Sequence, residues 1–223
     1  RFVEQQQDGI ADERTREPQV RERAAARLDG LAAQLDRAGI ATRRIAEIGC
    51  AFGVFLDEAR RRGWEPVGCE ISAHAAQHAR DVLGLPVHRA DLADAGLPDG
   101  SVDVVTGSEV VEHLAHPMRT FVAAHRALAP GGVVLFSTAN ERSVARLLRG
   151  PRWGYLMPGH LVLWSATTLR HALRRAGFVD VRVVAGDERG LAAFLRFRRA
   201  AGEGSVAAWL LRRLRLGDWT LGA

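Results

Sequence analysis

Residues 109–117 read EVVEHLAHP and follow the apolar run SVDVVTGS. Carboxylates and imidazoles are the side chains that move protons or hold divalent cations near neutral pH. At helical spacing Glu109, Glu112 and His113 are i, i+3 and i+4, which places all three on one helix face. A solvated face is the plain reading of such a pattern; a general base or a set of metal ligands is the chemical one. Solvation accounts for two glutamates but not for their position, where a buried strand gives way to the next element. His116-Pro117 reads as a turn.

A second group is acidic. Glu47, Glu70 and Asp91 each fall at the end of a predicted strand, and Gly49 and Gly53 follow the first of them in AEIGCAFGVFL. Glycine lets a backbone turn sharply and approach a ligand, and the helix that follows offers free N–H groups. An acidic residue at the next strand end can take both hydroxyls of a ribose. One Gly-x-x-x-Gly is weak; three successive acidic strand ends are not, although helix caps or turns would also use them. A dinucleotide site asks for G-x-G-x-x-G facing a pyrophosphate. Here the turn is E-x-G-x-x-x-G, with Ala51 in place of a middle glycine. A carboxylate beside the turn repels a pyrophosphate and suits the cationic amino-acid part of S-adenosylmethionine.

The elements that must position these residues alternate strictly. Apolar spacing predicts a helix over 18–39, beginning at Pro18, then strands over 43–49, 65–70, 85–91, 101–108 and 133–140. Helices are predicted over 54–63, over 72–84 with Ser72 as N-cap, after the fourth strand, and over 120–132, closed by Pro-Gly-Gly. The pattern predicts a parallel sheet with helices on both faces. Residues 149–164, RGPRWGYLMPGHLVLW, are rich in Gly, Pro and aromatics and read as a lid or binding loop. A helix over 165–178 capped by Ser165, a sixth strand over 179–185, basic helices over 191–216 and the start of a last strand complete the pattern.

With 223 residues, 47% hydrophobic and 26% charged, the chain suits one α/β domain. No apolar stretch is long enough to span a bilayer and none reads as a signal peptide, so a cytoplasmic protein is expected. Cys50 and Cys69 read as free thiols. All 31 basic residues are arginine, and they are spread unevenly: 16 against 21 Asp and Glu over 1–141, and 15 against 5 over 142–223. A basic C-terminal third suits an anionic substrate, RNA or a membrane surface, or simply a set of solvated helices. His74, His78, His88, His125 and His171 show no ligand spacing.

AEIGCAFGVFL, GCEIS, RADL, LPDGSVDVVTGSEVVEHL and RALAPGGVVLFSTAN stand in order over residues 43–178. In this the chain resembles the class I S-adenosylmethionine-dependent methyltransferases, in particular the branch holding the ubiquinone-biosynthesis O-methyltransferases and many natural-product methyltransferases. The resemblance implies a Rossmann-like, seven-stranded, mostly parallel sheet with one antiparallel strand. It implies a single domain over 1–223: a helical cap (1–42), a cofactor-binding core (43–140), a substrate lid (141–164) and a C-terminal part of the sheet with basic helices (165–223). Glu47, Gly49, Cys50 and Gly53 would border the methionine part of the cofactor, Glu70 the ribose, Ile71, Asp91 and Leu92 the adenine, and Ser108 and Glu109 the sulfonium. Ala51 departs from the family's frequent glycine.

An E-x-x-E-H motif like this one occurs in the ubiquinone O-methyltransferases and in small-RNA 2′-O-methyltransferases, paired with a later histidine; the matching position here is His160. The resemblance therefore implies Glu109, Glu112, His113 and His160 as ligands of Mg²⁺, Mn²⁺ or Zn²⁺. Without a metal, His113 or His160 would be the catalytic base. Trp153, Tyr155, Met157 and Trp164 would cover an apolar or ring-shaped acceptor, or pack the lid on the sheet. The expected activity is methylation of a small-molecule hydroxyl by a monomer or homodimer. Two rivals stay open. One is an RNA 2′-O-methyltransferase, against which stands the absence of an added RNA-binding module. The other is a methyltransferase-fold protein that binds the cofactor without methyl transfer.

Overall fold

The structure, a computed structural model, describes residues 2–183 apart from 38, 40 and 42. The strand β1 (Arg44–Ile48) is buried along nearly its whole length, as a central parallel strand covered on both faces must be. It pairs in parallel with β2 (Glu65–Cys69) on one side and β4 (Val102–Ser108) on the other. β3 (Val87–His88) extends the β2 side and β5 (Leu128–Ser137) the β4 side, giving the order β3-β2-β1-β4-β5. All four pairings are parallel. The order reverses at β1, so the strand ends of β1 and β4 flank the switch point where open α/β sheets bind ligands.

Helices connect these strands. α1 (Phe2–Arg37) precedes β1, α2 (Val54–Arg61) and α3 (Ala73–Asp81) follow β1 and β2, and α4 (Pro117–Ala127) leads into β5. Ala24, Leu28, Leu31 and Leu35 lie on one face of α1 and join Phe55, Leu56, Ala59, Ile45 and Val104 in the core. Ion pairs reinforce that packing: Arg21 with the buried Asp57 at 2.9 Å, and Arg62 with Asp29. Ser72 caps α3, accepting from the Ala75 N–H at 3.4 Å. After β5 come α5 (Val144–Arg149), a 3₁₀ turn (Gly150–Arg152) and α6 (Ala166–Arg175). Ser165 and Thr168 form a reciprocal capping box at the start of α6.

The described residues fall into two compact units, 2–139 with 154–163, and 140–153 with 164–183. The site residues named above all lie in the first, except Trp153 and Trp164. No helix among the described residues is long and apolar enough to cross a membrane.

Several expectations need correction. α1 does not begin at Pro18 but runs through it. Residues 109–116 form turns and bends, not a helix. His116 has φ −131° and ψ 66°, and α4 begins only at Pro117, because a residue before proline is disfavoured in the α region. α4 also ends early, at Ala127. The Pro-Gly-Gly segment lies within β5, as an irregularity between the pairs Val102–Leu128 and Val104–Val133. α5 was not anticipated. Five strands are seen where seven were implied: residues 179–183 form no strand, and 184–223, with the basic helices and the last strand, lie outside the described residues.

Candidate active site

The turn after β1 is fixed by its own backbone. Gly49 has φ 65°, and a Cβ there would meet Val110 Cγ2 at 2.7 Å. Its N–H donates to the Cys69 carbonyl at 2.8 Å, and that of Cys50 to the same oxygen at 3.2 Å. Gly107, near the end of β4, is equally closed, since a Cβ would stand 2.6 Å from Val110 Cγ1. Val110 thus packs on bare backbone from two strand ends. Gly53, at φ 83°, is the N-cap of α2. Ala51 adopts φ 48°, the left-handed region that costs a non-glycine residue about 1–2 kcal/mol. A glycine at this place would adopt the same conformation without that cost.

Glu70 ties the first turn to the second. Its Oε2 accepts from the Ala51 N–H at 2.9 Å and its Oε1 from the Ser72 N–H at 2.7 Å. Each carboxylate oxygen keeps a further lone pair. Ile71, next to it, is 76% exposed. Asp91 accepts from the Ala93 N–H at 2.8 Å and from the Thr120 hydroxyl at 3.1 Å, while Leu92 is buried. The Ser108 and Ser137 hydroxyls are 2.9 Å apart. Burial pushes the Cys50 and Cys69 thiols upward, Cys69 to about 12, so neither is a nucleophile at neutral pH.

Glu47 is buried. Its Oε1 accepts from Arg27 at 3.0 Å, and its Oε2 meets no donor among the described residues. Arg27 reaches from α1, also donates to the Thr106 hydroxyl at 2.7 Å, and lies 4.0 Å from the centre of the Phe55 ring. Burial raises the Glu47 carboxyl to about 7, against the opposing effect of Arg27. Arg27 was missed by the sequence reading. Nothing in spacing connects it to β1; only its place beside Leu28 on the buried flank of α1 hints at it.

The motif after β4 is a turn that still gathers three of its four expected residues. Glu109 sits at φ 51° with its N–H bonded to the Ser137 carbonyl at 3.0 Å. The His113 N–H closes the turn on the Val110 carbonyl at 3.0 Å. Glu112 is 2% exposed; its Oε2 accepts from the Thr138 hydroxyl at 2.9 Å, and its Oε1 is buried and meets no donor among the described residues. The Glu112 carbonyl accepts from the Leu161 and Val162 N–H groups at 2.8 and 3.0 Å, which fixes the segment holding His160. Glu112, His113 and His160 can each place one ligand atom within 4.8 Å of the others'. Glu109 is outside that group.

The imidazoles are oriented by carbonyls. His113 Nδ1 lies 2.7 Å from the Gly159 oxygen and His160 Nδ1 lies 2.8 Å from the Tyr155 oxygen. A carbonyl can only accept, so each Nδ1 carries a proton and Nε2 is the position left for the lone pair of an uncharged ring. The two rings meet edge to face at 4.7 Å. Of the aromatic lid, Trp153 and Trp164 are buried, whereas Tyr155 and Met157 are exposed.

Known proteins resemble this chain in both sequence and fold. A family profile described as a methyltransferase domain matches residues 14–183. The ubiquinone biosynthesis O-methyltransferase of Methylococcus capsulatus is 33% identical over 116 residues, 49% of this chain and 48% of that protein. The protein of the same name from Alkalilimnicola ehrlichii is 38% identical over 111 residues, 46% of this chain and 44% of that one. The chain thus spans about half the length of the curated relatives it matches. A SAM-dependent methyltransferase from Archaeoglobus fulgidus superposes with a TM-score of 0.62 at 25% identity, covering 75% of this chain and 73% of that one. Phosphoethanolamine N-methyltransferase 2 of Haemonchus contortus, solved with S-adenosyl-L-methionine, shares the fold at a TM-score of 0.58 and 18% identity, over 86% of this chain and 47% of that one.

Proposed function

The chain belongs to the methyltransferase-domain family of S-adenosylmethionine-dependent enzymes, and on that premise we propose that it methylates a hydroxyl of a small-molecule acceptor with the help of a divalent cation. The observation that carries the proposal is Glu112 Oε1, a buried carboxylate oxygen that meets no donor among the described residues, beside two histidines whose tautomers are set by carbonyls. Ligating histidines are oriented in this way, their other ring nitrogen donating to a carbonyl or carboxylate.

The cofactor's surroundings suit its chemistry. Glu70 has lone pairs left for a ribose, and Ile71 offers an uncovered apolar surface to an adenine ring. Glu47 Oε2 is a free acceptor for the ammonium of the methionine part. S-adenosylmethionine supplies a methyl group on a sulfonium.

Glu112, His113 and His160 would hold the cation, leaving room for acceptor oxygens. Two imidazoles with one carboxylate suit Mn²⁺ or Zn²⁺ better than Mg²⁺, which prefers oxygen ligands. A cation there supplies Lewis acidity, which lowers the pKa of an acceptor hydroxyl. Thr138 steadies Glu112, and the Gly159 and Tyr155 carbonyls hold both Nδ1 protons, which leaves each Nε2 as the ring's lone pair. In the transfer, an oxygen lone pair forms the bond to the methyl carbon as the C–S bond breaks and sulfur keeps the electron pair. The hydroxyl proton leaves to solvent or to a base. A metal-free reading rests on the same Nε2 lone pairs, with His113 or His160 taking that proton.

The test is transfer of a labelled methyl group from S-adenosylmethionine to phenols, vicinal diols and sugars, using chelator-stripped protein with and without Mn²⁺ or Zn²⁺. Label in a hydroxyl acceptor, restored by metal and lost in Glu112→Gln, is the expected result. Turnover indifferent to chelator would leave the metal-free base. Cofactor binding without transfer to any hydroxyl would overturn the proposal.

A further inference from the structure

Thr120 is a polar residue on the buried face of α4. It is buried there beside Phe121, Ala124 and Ala127, with 1% of its surface exposed. Valine would fill the same space without burying a hydroxyl, so a threonine at this place calls for a partner. A helical threonine commonly returns its hydroxyl to the carbonyl one turn back. This one crosses to the loop after β3. Its Oγ1 lies 3.1 Å from Asp91 Oδ1 and 3.2 Å from Asp91 Oδ2, in front of both oxygens of one carboxylate.

The two oxygens of Asp91 are engaged unequally. Oδ1 also accepts from the Ala93 N–H at 2.8 Å, whereas Oδ2 has only its share of the Thr120 hydroxyl among the described residues. Oδ2 is therefore the oxygen with lone-pair capacity left for a donor from outside the protein. We propose that Thr120 is a positioning residue for cofactor recognition: it fixes the Asp91 carboxylate in one orientation, with Oδ2 presented to the 6-amino group of the adenine, and so makes the site select a 6-amino purine over a 6-oxo purine. The amino group donates to a carboxylate oxygen; a 6-oxo group sets a second acceptor against it and is rejected. Without the hydroxyl the carboxylate keeps one anchor, the Ala93 N–H on Oδ1, and turns about its Cβ–Cγ bond, which weakens the bond and relieves the repulsion together. This role rests on Asp91 facing the adenine, as the resemblance to the S-adenosylmethionine-dependent methyltransferases implies, and is independent of the cation.

The experiment is calorimetric titration of the full chain with S-adenosylhomocysteine and with S-inosylhomocysteine, which differ in carrying a 6-amino or a 6-oxo group. The readout is the ratio of the two affinities on one protein sample, so a fraction of unfolded variant does not distort it. The wild type should prefer the adenosyl ligand by roughly 10²-fold or more. T120V should lose about tenfold of that preference, and T120S, which keeps the hydroxyl, should retain it. D91N, whose amide can offer either a donor or an acceptor, should abolish it. Arg119 and Asp94 form an exposed pair at 2.8 Å that also ties α4 to this loop; R119Q should leave the preference as in the wild type. A preference that T120V keeps in full would overturn the proposal. So would an equal loss in T120S or R119Q, which would make docking of the helix the cause and not the hydroxyl. A wild type without preference, or a D91N variant that keeps it, would remove the reading of adenine by Asp91, and this role of Thr120 with it.

Discussion

The two strand ends at the switch point are built on opposite principles. After β1 the turn's backbone is tied down internally, since Gly49 and Cys50 bond to the Cys69 carbonyl and Glu70 accepts from Ala51 and Ser72, and only Glu47 Oε2 is left without a donor among the described residues. After β4 the polar groups are held in reserve: Glu112 Oε1 is buried and meets no donor among the described residues, and the Nδ1 bonds of two imidazoles leave their Nε2 atoms as lone pairs. A satisfied turn sets shape; a preorganised and unsatisfied cluster does chemistry, because buried lone pairs cost free energy unless something binds them. Substitutions in the first region should therefore act on stability and cofactor affinity. Those in the second should act on turnover.

The largest expected effect is His160→Ala, which should lower kcat roughly 10²–10⁴-fold while calorimetry finds S-adenosylmethionine affinity unchanged. An equal loss of both would erase the contrast. Gly49→Ala comes next. Its Cβ would lie 2.7 Å from Val110 Cγ2 at a φ of 65°, so urea unfolding should show a loss of about 1–3 kcal/mol together with weaker cofactor binding.

Glu47 gives a smaller, pH-dependent effect. The folded protein holds its carboxyl at about 7, against 4.5 for an unperturbed glutamate, so between those values the folded state binds the proton more tightly. Its contribution to stability is whole below the lower value and is lost as pH rises through the higher one. Between about pH 5 and pH 7.5 the wild type should lose about 1–3 kcal/mol more than Glu47→Gln, read from urea midpoints. Ala51→Gly is the smallest: relief of the φ of 48° should stabilise by about 1 kcal/mol or less and raise Tm by about 2–4 °C.

The same contrast governs what could be read in advance. The turn after β1 was legible because strand period, glycine spacing and an acid at the next strand end are local signals, and the structure places Gly49, Gly53 and Glu70 around one turn. The turn after β4 was misread as a helix because Glu109, Glu112 and His113 fit helical spacing. Val110, filling the space beside Gly49 and Gly107, holds the chain in a turn, and His116-Pro117, read as a turn from the start, marks where it ends. His160 meets His113 only through the carbonyl bonds of a distant segment, and Arg27 meets Glu47 only through the docking of α1. Neither contact leaves a trace in spacing.

The most direct test is calorimetric titration of chelator-stripped protein with Mn²⁺ or Zn²⁺, beside a Glu112→Gln/His113→Ala variant that still binds S-adenosylmethionine. One equivalent of metal on the wild type and none on the variant is the result expected here. Metal uptake that is the same in both proteins, or absent from both, would contradict a cation site at Glu112, His113 and His160.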